Sequence, residues 1–290
     1  MIDYLTVGGV ALQNGSTRGV SGLDGWVGSP GVRGTPTDRA ENDGAVEPIA
    51  QFRSARLATV TGVLVAASVD AVFTDFTAVV KAFEAGLSAD LTVLWRPGGS
   101  TRDLQGAARL AGSVLTQLDA RQPGGYLRYQ AQLRFADPRW YSQTLLSASV
   151  VAAATSGGIP FPMPFPIPLF QGASSGSVMA ANAGTVETWP TITVAGPMNG
   201  IAVGNSTTNT FLYFDSLNIG AGQTLTITTN PMGRAATVAG ASVVGSLRIA
   251  SSNWPSIRAS ATDTFQFYPI NGGTSAASQL TVSWRSAWVG

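Results

Sequence analysis

The chain has 290 residues, 44% of them hydrophobic and only 11% charged, with a formal net charge of +1. It contains no cysteine and no histidine, which excludes disulfides, cysteine or histidine metal ligands, cysteine nucleophiles and a Ser–His–Asp triad. Near-zero net charge offers no broad electrostatic footprint for nucleic acid, no apolar run reaches the ~18 residues of a membrane span, and the start Met1-Ile2-Asp3-Tyr4 lacks the basic and apolar regions of a signal peptide.

The charge is unevenly placed. Residues 1–142 hold 13 Lys/Arg and 13 Asp/Glu, whereas residues 143–290 hold four Arg and three acids. This break precedes a proline-dense run at 159–170 and reads as the seam between two domains, 1–142 and 143–290. The weakly charged second half fits either burial against neighbouring subunits or a neutral Ser/Thr/Gly-rich β surface.

In chain order, Tyr4–Val10 is predicted to be a strand. The glycine-rich stretch 15–44 follows, carrying Trp26, and is expected to be an arm or hairpin that reaches a neighbour. Glu41, Asp43 and Glu47 lack the spacing of a calcium loop and read as a solvated turn. Residues 53–66 alternate as a long strand, with Arg56, Ala58, Val60 and Leu64 on one face and Leu57, Thr59, Thr61 and Val63 on the other. A single helix is predicted over about 70–85. Its stripe is Phe73, Phe76, Val80, Phe83 and Leu87, its N-cap Ser68, Asp70 or Thr74, and its C-terminal stop Gly86. Strands are expected at Leu91–Trp95 and within 103–118, with a turn at Pro123-Gly124-Gly125.

The clearest strand is 127–135. Leu127, Tyr129, Ala131, Leu133 and Phe135 alternate with Arg128, Gln130, Gln132 and Arg134, so one face is core and the other meets water, an aqueous lumen or a partner. Ala148–Thr155 is a further strand. In the run 159–170, proline alternates with large apolar residues. Proline fixes φ and removes the amide donor, so the segment is expected to be extended. Phe161, Pro162, Pro164, Phe165, Pro166 and Pro168, together with Trp26, are candidate inter-subunit or interdomain contacts. From 182 onward, short strands are expected at Thr191–Ala195, Phe211–Phe214, Thr224–Thr228, Ala236–Val238, Ser246–Ala250, Thr264–Tyr268 and Gln279–Trp284, separated by Gly, Asn and Pro turns. The fold class is therefore mainly β, with two domains.

No catalytic, cofactor or metal constellation emerges. Glu187, Asp215 and Asp263 have no spacing that suggests paired acid–base work. Trp189, Trp254, Trp284 and Trp288 could stack sugars, yet tryptophans at strand positions among apolar neighbours are more often core.

Several segments, read together, resemble a known family. They are Tyr4-Leu5-Thr6-Val7, 56–62 with the helix after it, and Gln132 to Tyr141 around Asp137-Pro138-Arg139-Trp140. In the second half they are Asn182-Ala183-Gly184-Thr185, Trp189-Pro190 to Gly196-Pro197, Gly220 to Ile227, and Leu280 to Trp288. Their order and spacing resemble the distal tail protein of siphophages, a minor tail protein in phages of actinobacteria. The resemblance implies a tail-tube-like N-terminal β-sandwich domain with one helix and a C-terminal galectin-like β-sandwich. It implies a homo-oligomer, a hexameric ring at the distal end of the virion tail. The ring would link the tail tube protein to tape-measure and tail-tip, baseplate hub or receptor-binding proteins, and surround the DNA without sequence-specific contacts or membrane insertion. Arg128, Gln130, Gln132 and Arg134 are then candidates to face the lumen or a partner. The alternative function is a carbohydrate-binding host-recognition module.

Overall fold

The computed structural model of the chain describes residues 2–34, 37–38, 43, 45–46, 52–118, 125–152, 176–271 and 277–289. The proline run with Phe161, Pro162, Pro164, Phe165, Pro166 and Pro168 lies outside the described residues, as do Glu41, Glu47 and Pro123-Gly124. The chain divides into two compact units, Met1–Gln143 with Trp288–Gly290, and Thr144–Ala287.

The first unit opens with a hairpin where a single strand was expected. β1 (Ile2–Val7) turns at Gly8 and Gly9, both at positive φ, into β2 (Val10–Ala11). The glycine-rich stretch is only partly an arm. Its first part, β3 (Arg18–Asp24), belongs to the main sheet, while β4 (Val32–Arg33) pairs with β7 (Phe52–Arg53), and β5 (Thr37–Asp38) with β6 (Ala45–Val46), as separate ladders. Then comes β8 (Arg56–Ala66), which buries Arg56, Ala58, Val60, Gly62 and Leu64 in the alternation that a sheet with one wet face imposes.

Helix α1 (Val69–Glu84) starts where Ser68 accepts a hydrogen bond from the Ala71 N–H at 3.2 Å, with Asp70 in its first turn and Lys81 in its last, both favourable to the helix dipole. The predicted stripe is turned from the observed one. Val72, Val79, Ala82 and Phe83 are buried, whereas Phe73 is 46% and Leu87 64% exposed. Two overlapping stripes at spacings of three and four share Phe76 and Phe83, and packing selects the one with smaller residues that fits against the sheet. Gly86 does not end the helix in a left-handed turn. It lies in a short 3-10 continuation, where a Cβ would meet Leu91 Cδ1 at 2.7 Å.

β9 (Leu91–Pro97), β10 (Leu104–Leu110), β11 (Leu115–Leu118), β12 (Gly125–Phe135) and β13 (Trp140–Ser142) complete the unit. The sheet runs β2-β1-β9-β10-β12-β8-β3, with β11 added to β12 and β13 to β10. One continuous sheet thus does what two sheets of a sandwich would do. It gathers Leu5, Val93, Trp95, Val60, Leu133 and Trp140 into a single core, with Val72, Val79 and Phe83 from the helix and Trp288 from the chain end. Gly62 permits one close approach: a Cβ there would fall 2.3 Å from Tyr129 Cζ, so only glycine lets that ring lie across β8.

The second unit contains β14 (Leu146–Val151), β15 (Gly176–Asn182), β16 (Thr191–Ala195), β17 (Met198–Asn205), β18 (Thr210–Ile219), β19 (Thr224–Thr228), β20 (Ala235–Val238), β21 (Ala241–Ser242), β22 (Ala261–Pro269) and β23 (Gln279–Trp284). They form a six-stranded sheet, β14-β23-β16-β19-β20-β21, and a four-stranded sheet, β15-β22-β17-β18. Alternate residues of both sheets, among them Ile192, Val194, Leu280 and Val282 from one and Val203, Phe214, Phe265 and Phe267 from the other, share one core. Ser246–Ala250 is not a strand. Two 3-10 turns (Val244–Ser246 and Ile249–Ser251) occupy it and cover the edge of β18, with the Arg248 N–H on Tyr213 O and the Asn253 N–H on Phe211 O, both at 2.8 Å.

One charge is buried at the end of β22. Asp263 is fully buried and accepts from the Arg258 N–H at 2.9 Å, Arg258 Nη2 at 2.7 Å and Asn205 Nδ2 at 3.1 Å. Burial by itself raises its pKa. The hydrogen bonds from the Arg258 side chain and backbone and from Asn205 outweigh that, and hold the carboxyl below its ordinary value. A depressed folded-state pKa contributes stability that is complete above the unfolded value of about 3.9 and is lost as pH falls through the folded value. The second unit is therefore expected to weaken on acidification below about pH 4. Asp263→Asn should lower its stability at neutral pH and flatten that acid dependence. Circular dichroism melts between pH 7 and 2 would contradict this if both chains lost stability in parallel.

Candidate functional site

The outward face of β12 carries the polar residues expected from its alternation. Arg128, Gln130, Gln132 and Arg134 are all exposed, and the intervening residues are all buried. Antiparallel register extends this face sideways. Arg128 stands between Gln117 and Val63, Gln130 between Leu115 and Thr61, Gln132 beside Thr59, and Arg134 beside Leu57. On β10, Arg109 is directly opposite Arg134. Like charges in that position ordinarily cost stability, and Asp90 partly offsets the cost through an exposed ion pair to Arg109 at 2.7 Å.

Arg128 is held along the strand, its Nε donating to the Tyr126 hydroxyl at 3.1 Å and its guanidinium 5.7 Å from the Tyr126 ring centre. A shallow depression of about 500 Å³ lies between Thr61, Leu115, Gln117, Arg128 and Gln130. The face thus offers spaced cations among neutral amides and hydroxyls, with the exposed Asp24 opposite Thr59 and Asp90 on Arg109 as its acids. It can touch a polyanion or a polar protein surface, and it presents no nucleophile with an adjacent base.

Trp26 is not a surface contact. It is 1% exposed and stands at the centre of the first unit's own core, with Nε1 donating to Thr59 O at 2.9 Å and the ring stacked on Trp140 at 5.5 Å. The arm's glycines mislead here. Gly25 takes φ +71° and lies so close to β8 that a Cβ would sit 2.2 Å from Leu57 O, and this tight turn drives Trp26 inward.

The remaining candidates are engaged in structure. Asp215 receives Arg248 through two 2.6 Å hydrogen bonds, Asp263 is committed to Arg258 and Asn205, and Glu187 accepts weakly from Ser256 at 3.4 Å. Trp284 is buried, with Nε1 on Ala181 O at 2.7 Å, and Trp288 belongs to the first unit's core. Trp254 packs against the second core beneath Arg234, whose guanidinium is 5.5 Å from the ring, and Trp189 is half-buried. Among the described residues no group of three or more acidic side chains could hold a metal ion.

Sequence reasoning passed over Arg56. It is a cation on the apolar side of an alternating strand, and that position was the available signal. It is buried and donates to the carbonyls of Gly25 (2.8 Å), Trp26 (3.2 Å), Gly28 (3.0 Å), Pro138 (3.1 Å) and Val289.

Residues 183–288 match the family described as siphovirus-type tail component, C-terminal domain. The segments quoted above for the second half, from Asn182 to Trp288, fall within that match apart from Asn182 itself. Among solved structures the chain is similar to the Dit protein of phage SPP1, described as a paradigm of the hub adsorption apparatus in phages infecting Gram-positive bacteria. The likeness has a TM-score of 0.62 at 12% identity and covers 98% of each chain. At that identity it is a likeness of fold. The phage P2 baseplate in its activated conformation also aligns, at 12% identity over 98% of each chain with a TM-score of 0.48. No curated protein matches the sequence.

Proposed function

We propose that this chain, a siphovirus-type tail component by its residues 183–288, is a structural and non-enzymatic protein of a phage tail tip. Copies close into a ring of six. The first unit forms the ring and turns the β12 face toward the channel that the DNA takes, while the second unit, a galectin-like sandwich, meets tail-tip partners. The ring joins the tail tube and tape-measure proteins to the tip or baseplate proteins at the distal end of the virion.

The observation that carries this reading is the β12 face. A channel wall must be wet and must not be densely basic, because a dense basic wall would hold the phosphate backbone too firmly for passage. Arg128 and Arg134, with Arg109 paired to Asp90 and Asp24 opposite Thr59, stand among Gln130, Gln132, Thr59 and Thr61 and meet that requirement. The carbohydrate reading rests on the four tryptophans of the second half. Two of these are buried and a third lies under an arginine, so no observation favours it.

Native mass spectrometry of the full chain is expected to give a closed oligomer of six copies, and negative-stain images a ring with a central pore. A chain that stays monomeric at high concentration, and does not add to tail-tube ends, would sink the reading.

A further inference from the structure

The first unit is closed by residues that follow the second unit in the chain. Residues 144–287 form the second unit, and the chain then returns to the first. There Trp288 is 9% exposed, within a core that also holds Trp95, Leu104 and Trp140. The Arg102 guanidinium lies 5.5 Å from its ring centre. The next carbonyl, that of Val289, accepts from Arg56, the buried cation that also binds the 25–28 turn and Pro138. Trp288 Nε1 is enclosed without a hydrogen-bond partner, so its seat holds the indole by bulk and by the cation above it.

Departure and return meet at one place in the first unit. Leu104 pairs with Ser142, the Gln143 N–H donates to Asp103 O at 2.9 Å, and the Gln143 side chain donates to Leu104 O at 3.0 Å. Arg102, which covers Trp288, directly precedes these residues. Within the second unit, the first and last strands are partners of each other. β14 pairs with β23 from Leu146 opposite Trp284 to Val151 opposite Gln279. Only Arg285, Ser286 and Ala287 separate Trp284 from Trp288.

We infer that Trp288 and Val289 form a latch that closes the first unit once the second unit has folded. While 144–287 is unfolded, bringing Trp288 back to Arg102 closes a long loop, and the lost entropy opposes docking. Pairing of β14 with β23 closes that loop inside the second unit. Trp288 then follows a fixed strand by a short tether, at high effective concentration for its seat. The N-terminal residues are synthesised first, so the first unit lacks its latch until the second has been made. Where first units build a ring, a consequence that rests on the reading above, the latch favours copies whose second unit is complete.

Hydrogen exchange of the full chain, read by mass spectrometry, tests this in peptides from 56–66 and 135–143, which carry Arg56 and the departing strand. Deleting Trp288–Gly290 is expected to speed their exchange roughly tenfold or more. Val282→Asp, which opens the second unit by placing a charge in its core, is expected to do the same. Leu280→Asp is added to it if 224–228 stays protected. In the deleted chain Val282→Asp is expected to add nothing, because no latch remains to lose. Trp288→Asp takes the place of the deletion if that chain does not stay soluble. Wild-type exchange in 56–66 and 135–143 after either change alone would overturn the latch. So would further acceleration by Val282→Asp in the deleted chain, which would route the coupling through another contact. Native mass spectrometry of the wild-type chain separates this from the ring: a monomer with the expected exchange pattern would keep the latch and remove the ring reading.

Discussion

Arg56→Met is expected to remove most of the stability of the first unit. The guanidinium is buried in the core and has no carboxylate partner among its hydrogen bonds. It donates to five backbone carbonyls from three separate stretches, the 25–28 turn, Pro138 and Val289, and lies 5.5 Å from the Trp140 ring centre. Burial, and then the charge of Arg53, lower its pKa, yet an arginine starts so high that it stays protonated at neutral pH. Methionine fills part of the space and leaves those carbonyls without their donor. Each buried carbonyl left without its donor costs about 1–3 kcal/mol, and several are left at once. Arg56→Lys is expected to recover little, because an ammonium on a single stem cannot reproduce a planar fork that reaches carbonyls on three sides. Hydrogen exchange read by mass spectrometry should show lost protection in peptides from 2–33 and 52–118, with peptides from 176–271 unchanged. Near wild-type exchange for Arg56→Met would show that the carbonyls find water instead.

Trp26→Ala is expected to cost a comparable amount by a different mechanism. The indole packs edge-to-face on Trp95 at 5.6 Å and on Phe135 at 6.0 Å, and lies nearly parallel to Trp140 at 5.5 Å. Its own carbonyl accepts from Trp140 Nε1 at 2.9 Å. Truncation opens a cavity ringed by aromatic groups that are tied to strands and cannot collapse into it. Losses for buried tryptophan to alanine run at about 3–5 kcal/mol, and aromatic pairs add about 0.5–1.5 kcal/mol each beyond area. Trp26→Phe should retain much of the packing and lose the hydrogen bond to Thr59 O. Urea denaturation should therefore rank the chains as wild type, then Trp26→Phe, then Trp26→Ala. An alanine variant within ~1 kcal/mol of wild type would mean that the site closes up, contrary to the rigid packing described.

The strands that were legible in the sequence share one property: a sheet face in water opposite a face in a core. Thr191–Ala195, Thr224–Thr228 and Gln279–Trp284 form to the residue, and 127–135 does so within a longer strand. β15 and β17 escaped notice. β15 is made largely of small residues, and β17 contains Gly200 and Gly204, which usually mark turns. Gly204 is nevertheless required, since a Cβ would fall 2.1 Å from Thr210 O on the neighbouring strand. The apolar residues of the helix allowed two faces, and only the sheet beneath it chose between them. The polar face of β12 was visible in advance, but its flanking rows, with Arg109 on β10 and Leu115 and Gln117 on β11, depend on strand order and register. Neither has a local signature.

The sequence by itself determined the chemistry that this protein lacks and the alternation of its best strands. Both follow from composition and from the two-residue period of an extended backbone. Only the tertiary structure decided that Trp26 is a core residue and that Arg56 is the donor at the centre of its unit. The hydrogen bond from Arg56 to Val289 spans 233 residues. Contacts of that range are set by how sheets close upon one another, and the local pattern of apolar and polar residues carries no record of them.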